Sequence, residues 1–202
     1  MGIIMWKKID FAQQPPVHLT KADEVYYLRE YKTPPQGVRY IETITNDLIT
    51  NFKKPIDRQG KPEYKYKERA IEQMAEELRD FLPNAKIHAI PIPTSKCKND
   101  VGYDNRLVQV LQRLKPSHPQ IQTLDLFDCI ENCQASHLGG SRNPDEIRRN
   151  LRLDILPTPC DTVVLVDDVL VTGAHFRACK SMIIEQCPQI RVVGAFWARA
   201  IR

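Results

Sequence analysis

Val163-Val164-Leu165-Val166-Asp167-Asp168-Val169-Leu170-Val171-Thr172-Gly173-Ala174-His175 is the stretch that decides how this chain is read. Four apolar β-formers run into two adjacent carboxylates, and a short turn containing Gly173 follows. Phe176, Cys179, Met182, Ile183 and Cys187 then recur at helical spacing, so the segment reads as strand, loop, helix. The strand is apolar on both faces, as a central parallel strand is. Its carboxylates fall at the C-terminal end, where open α/β sheets bind ligands. The loop leads into a helix N-terminus, whose free amides and dipole favour an anion such as phosphate. Gly173 allows the backbone to come close to that anion. The competing reading is a buried strand ending in a solvated acidic turn. The order of strand, paired acids, Gly and helix tells against it.

Upstream of this stretch, from Lys86, strands alternate with helices, the α/β signature. Ile87 to Ile92 is a strand, and Pro93-Thr94-Ser95-Lys96 is the turn leaving it. Tyr103, Leu107, Val108, Val110, Leu111 and Leu114 make a helix. Ile121 to Ile130 is a second strand, and Glu131 to Asn150 is a long polar segment with Gly139-Gly140, Arg142, Arg148 and Arg149. A segment of that length without structure is usually functional or disordered. Downstream, Ile190 to Ala200 is the last strand. Residues 1–85 read as a largely helical elaboration. Val25 to Leu28 is a short strand, one helix starts from Val38, and Ile71, Met74, Ala75, Leu78, Phe81 and Leu82 define an amphipathic helix. Between the helices, residues 53–67 interleave Lys and Arg with Tyr64 and Tyr66. Such a stretch could bind a nucleic-acid backbone, although a solvated loop is the commoner explanation.

The length of 202 residues suits one α/β domain with an elaboration, or two small domains. The net charge of +4 suits phosphate-bearing ligands without demanding nucleic acid. Met1 to Lys8 does not read as a signal peptide, and no apolar run approaches membrane-spanning length. The six cysteines show no paired zinc-site spacing, and reduced cytoplasmic thiols are expected.

The stretch 163–175 resembles the phosphoribosyl-pyrophosphate (PRPP) signature of the type I phosphoribosyltransferases: a hydrophobic strand, Asp-Asp, a branched residue, then a Thr-Thr-Gly-x-Thr-like loop. The resemblance implies a Rossmann-like α/β core with a parallel sheet over residues 86–202, and a helical hood from residues 1–85. It implies that Asp167 and Asp168 hold the ribose hydroxyls, and that Val171, Thr172, Gly173, Ala174 and His175 wrap the 5′-phosphate. Val171 and His175 stand where the family carries hydroxyl residues. In the family a loop after the first core strand binds pyrophosphate; here that loop holds Thr94, Ser95 and Lys96. Gly102-Tyr103-Asp104-Asn105 and the Gln134 to Asn150 segment resemble the ComF-type branch, whose flexible loop brings arginines to the departing pyrophosphate. Arg142 and Arg148 are the candidates for that role.

What the resemblance implies is displacement of pyrophosphate at C1 of PRPP by an acceptor nitrogen. Magnesium would enter with the substrate, and no residue is assigned to it directly. The alternative is a non-catalytic module that senses PRPP or a nucleotide and acts through DNA or a protein partner. A third reading is a structural protein that kept the fold and lost the ligand. The acceptor is open, and an oligomer is as open as a monomer. Trp197 either stacks on an acceptor or fills core space, and His88 reads as a sheet residue.

Overall fold

The computed structural model describes residues 5–38, 40–114, 117–133, 140–157 and 161–201. Its frame is a six-stranded sheet of order β1-β2-β8-β7-β3-β4. The strands are β1 (Lys7–Lys8), β2 (Glu24–Lys32), β3 (Ile87–Pro91), β4 (Ile121–Thr123), β7 (Thr162–Leu170) and β8 (Arg191–Ile201). All pairings are parallel except β1 with β2. A separate antiparallel pair joins β5 (Phe127–Cys129) to β6 (Leu151–Leu153). The fold is thus mixed α/β with a mostly parallel, Rossmann-like central sheet.

The two central strands, β7 and β8, are buried on both sides because their residues alternate between two apolar clusters. Val163 and Leu165 face a cluster with Phe176, Cys179 and Ile183 of α5 (Ala174–Gln186). Val164 and Val166 face a second cluster, built with α1 (Ile44–Phe52), α2 (Lys65–Phe81) and α3 (Arg106–Gln112). In α2 the buried positions Ala70, Ile71, Met74, Ala75 and Leu78 follow the helical period, so one stripe faces the sheet. Gly194 lets α5 lie close on β8, since a Cβ there would stand 2.9 Å from the Phe176 ring. Trp197 belongs to the core: it is fully buried, and its indole N–H donates to the Met74 carbonyl at 3.2 Å.

Residues 1–85 supply two strands to the central sheet and two helices to its core. The charged strand β2 runs over nine residues, longer than its four-residue apolar segment suggests, and pairs in parallel with β8. Thr43 caps α1 by accepting from the Asn46 amide at 3.0 Å. The fully buried Asn46 side chain donates to the Lys32 carbonyl and accepts from the Lys32 amide, which ties α1 to the end of β2. A boundary at residue 85 therefore falls inside one sheet and one shared core.

Two other expectations change. Ile121 to Ile130 is not one strand, because the chain leaves β4 at Thr123 and enters the second sheet at Phe127. The 131–150 segment contains α4 (Pro144–Arg149), capped by the Asn143 side chain, which accepts from the Asp145 amide. Residues 134–139, including Gly139, lie outside the described residues.

Candidate active site

The sheet has a switch point between β3 and β7. From β3 the chain passes through α3 and outward to β4; from β7 it passes through α5, on the opposite face, and outward to β8. Ligands of open α/β sheets bind in the crevice at such a point, beyond the strand ends. β3 stays with β7 as far as Pro91 opposite Val166, and the Ile92 amide still donates to the Val166 carbonyl at 2.9 Å. The strands then part, while β7 continues along β8 to Leu170. Asp167 and Asp168 are the next residues on β7, at the floor of this split.

The two acids meet different surroundings. Asp168 is buried, and two cations hold it: Lys53 Nζ lies 2.9 Å from its Oδ1, and Arg106 Nη2 lies 3.1 Å from its Oδ2. Burial alone would raise its pKa, but Lys53 and Arg106 outweigh that and hold it below the ordinary carboxylate value. Asp167 has no ion pair among the described residues. Burial, and then the Asp168 charge, push its pKa up to about 7. Its Oδ1 accepts from the Asp168 amide at 2.8 Å.

The cations around Asp168 belong to a longer chain of alternating charge. Arg106 also reaches Asp104 at 3.1 Å, and Asp104 accepts from Lys67 at 2.6 Å. The Lys67 side chain is fully buried and donates in addition to the Lys54 carbonyl at 2.7 Å. The basic stretch 53–67 is therefore not uniformly solvated, since Lys53 and Lys67 are turned inward to acids. The exposed Tyr66 ring has Lys65, the half-buried Lys54 and, beyond the stretch, Arg69 at 5.3, 5.4 and 5.6 Å from its centroid, and Lys54 also donates to the Glu63 carbonyl at 3.1 Å.

A cleft of about 80 Å³ collects several of the residues singled out by the sequence. Thr94 and Ser95 from the loop after β3, His175 from the first turn of α5, and Ser141, Glu146 and Asn150 from the 131–150 segment line it. Burial holds the His175 imidazole below its ordinary pKa, so it is neutral near pH 7. As in any helix, the first-turn amides of α5 have no helical acceptor, and they face the same end as His175.

Other expected residues go elsewhere. Lys96 does not line this cleft and turns to Asp100, 3.5 Å away. Arg148 is committed to the α4–α5 contact, at 2.5 Å from Glu185 and 3.3 Å from the Ser181 hydroxyl, so its guanidinium is not at the crevice. Arg142 is exposed, next to the α4 cap. Val171 is exposed. The Thr172 carbonyl accepts from the His18 amide at 2.9 Å, and the Thr172 hydroxyl accepts weakly from Ala174 at 3.4 Å. Gly173 has φ +80°, and a Cβ there would stand 2.6 Å from Leu19 Cδ2. In this structure the close approach that glycine permits is therefore to the N-terminal segment.

The cysteines also depart from expectation. Cys97, just past the Thr94–Lys96 turn, is disulfide-bonded to Cys129 at the end of β5. Cys133, Cys179 and Cys187 are free, and Cys160 lies outside the described residues. No helix among the described residues is long and apolar enough to cross a membrane.

Sheet order, helices on both faces and a crevice at the switch point define an α/β protein of the Rossmann-like class. Against known proteins, no family model matches the chain, and no curated protein matches it. Among solved structures it is similar to the Helicobacter pylori xanthine-guanine-hypoxanthine phosphoribosyltransferase. The TM-score is 0.37 at 9% identity, over 69% of this chain and 85% of that one.

Proposed function

We propose that the crevice binds PRPP with magnesium, and that the chain transfers the phosphoribosyl group to an acceptor nitrogen with release of pyrophosphate. The C1–O bond to diphosphate breaks, a C1–N bond forms, and the acceptor nitrogen loses a proton. The observation that supports this best is the meeting of Thr94, Ser95 and His175 around one cleft, whose lining does not itself include Asp167 or Asp168. In this reading Asp167 and Asp168 orient the ribose, Thr94 and Ser95 take the diphosphate, and Thr172 with His175 takes the 5′-phosphate. Arg142, exposed beside the α4 cap, is the candidate to close over the leaving group, and Arg148 is held by Glu185. Catalysis is then positioning and charge neutralisation. Asp167 suits magnesium, because no ion pair among the described residues reaches its carboxyl, while Lys53 and Arg106 are both paired with Asp168. The ion, when bound, would neutralise charge on the departing diphosphate.

The double ion pairing of Asp168 favours a second reading, a module that binds PRPP or a nucleotide without turnover and acts through DNA or a protein partner. Incubation with magnesium-PRPP and a cell extract separates the two. Pyrophosphate release with a ribosylated product supports transfer, and binding without release supports sensing. Failure of PRPP to raise the melting temperature tells against both.

His175 gives a sharper check on the 5′-phosphate assignment. A bound phosphate dianion favours the imidazolium, against burial and the α5 dipole. Affinity should therefore strengthen as pH falls below neutrality, towards a free-protein pKa that burial holds below the ordinary histidine value. His175→Ala should lose on the order of 1–3 kcal/mol of binding, the worth of a charge-assisted hydrogen bond. His175→Thr should recover much of that and flatten the pH dependence. Superimposable PRPP titrations of the three proteins at two pH values would make the histidine a bystander.

A further inference from the structure

We propose that Lys53 is a diphosphate-binding residue that exchanges partners: it holds Asp168 in the free protein and turns to the ligand's diphosphate when ribose hydroxyls take its place. This rests on reading the crevice as a PRPP site. The two cations on Asp168 are unlike each other. Arg106 is fixed: 15% of its side chain is exposed, it also pairs with Asp104, and its guanidinium stands 5.4 Å from the centroid of the Phe52 ring. Asp104 is in turn held by the buried Lys67. Lys53 is the residue just past the end of α1, where its amide closes the helix on the Ile49 carbonyl. Its side chain is 40% exposed and ends at the other carboxylate oxygen.

An ammonium on a flexible four-carbon stem is a movable point charge, whereas a guanidinium clamped by two carboxylates is not. When a ribose diol donates to Asp168, Arg106 still neutralises the carboxylate. The neutral hydroxyls offer nothing to Lys53, and its charge, on a side chain already 40% exposed, is released. The diphosphate of the same ligand brings the anion that accepts it. No acid on α1 competes for Lys53: Asp47, the one carboxylate of that helix, accepts from the Tyr40 hydroxyl instead.

Two ligands separate this from simple obstruction. Ribose 5-phosphate carries the hydroxyls and the 5′-phosphate without the diphosphate. Calorimetric titrations with magnesium-PRPP and with ribose 5-phosphate would compare wild type, Lys53→Met and Lys53→Arg, each first checked by thermal melting. Lys53→Met should weaken PRPP binding about tenfold or more, the worth of one hydrogen bond to a charged group. The same variant should bind ribose 5-phosphate as well as wild type or better, since nothing then competes for Asp168. Lys53→Arg should restore part of the PRPP affinity. The proposal falls if Lys53→Met changes neither ligand or weakens both equally. It also falls if both tighten, which would make Lys53 only a plug. A wild-type protein that binds ribose 5-phosphate but not PRPP overturns the exchange while sparing the ribose site. One that binds neither overturns the reading of the crevice itself.

Discussion

Arg106→Met is expected to destabilise the fold by about 3–5 kcal/mol, because it leaves buried carboxylates without their shared cation. Asp168 keeps Lys53, and Asp104 keeps Lys67, so each acid loses one of two partners. The loss is large because Asp168 is only 4% exposed and water replaces little of what is removed. Nor is the native network free of cost, since the buried Nε of Arg106 has no hydrogen-bond partner among the described residues. The intact arrangement is therefore not expected to outperform an apolar one of the same volume. Removing both charges together, as Arg106→Met with Asp168→Leu, should regain a large part of the stability lost in the single variant. Urea unfolding of wild type, single and double variants reads this directly. A single-variant loss below about 1 kcal/mol, the level of an exposed pair, would mean that the guanidinium is solvated and the network unimportant.

β7 and α5 were legible because their patterns are local: a two-sided apolar run for a central strand, then helical spacing. The same rule misread Ile121 to Ile130, where Leu124 and Leu126 carry the apolar run across the gap between two sheets. β2 was read short because Glu24, Arg29, Glu30 and Lys32 interrupt its apolar pattern. Arg29 and Glu24 are held from elsewhere in the chain, by Glu77 and Arg191. Helix α4 carries a local signal, an Asn cap followed by Pro at the first helical position.

In the candidate site, the paired acids, Thr94, Ser95 and His175 stand out in the sequence as residue types, but their positions do not say that Thr94, Ser95 and His175 line one cleft. What sequence could not show is who neutralises Asp168. Arg106 is 62 residues away, and Lys53 sits in a run of basic residues that look alike one by one. Only packing of α1, α2 and α3 on one face of the sheet selects Lys53 and Lys67 from that run and leaves Lys54 and Lys65 beside Tyr66. The same blindness applied to Arg148, whose position in the 131–150 segment said nothing of Glu185.

The adjacent acids should respond with opposite sign when each is replaced by asparagine. Asp168 has a folded pKa below its unfolded value of about 3.9. Its contribution to stability is present above that pH and is lost as pH falls through the folded value. Asp168→Asn should therefore destabilise at pH 8, by on the order of 3 kcal/mol, since Lys53 and Arg106 lose their shared anion. Asp167 is the reverse case. Its folded pKa of about 7 lies above the unfolded value. The folded state binds the extra proton between about pH 4 and 7, so ionisation of Asp167 erodes stability as pH rises through that window, and the deficit is constant above it. Asp167→Asn removes the deficit while keeping an oxygen for the Asp168 amide. It should raise stability at pH 8 by on the order of 2–4 kcal/mol and change little at pH 4, where wild-type Asp167 is already largely protonated when folded. Denaturant midpoints of both variants at pH 8 and pH 4 test this, and the same sign for both at pH 8 would sink it. An acid kept at a thermodynamic disadvantage beside one that is fully neutralised makes sense only if something else supplies its cation. A stabilising Asp167→Asn that abolishes magnesium-PRPP binding would locate that supply in the ligand, while a stabilising Asp167→Asn with unchanged binding would remove Asp167 from the site.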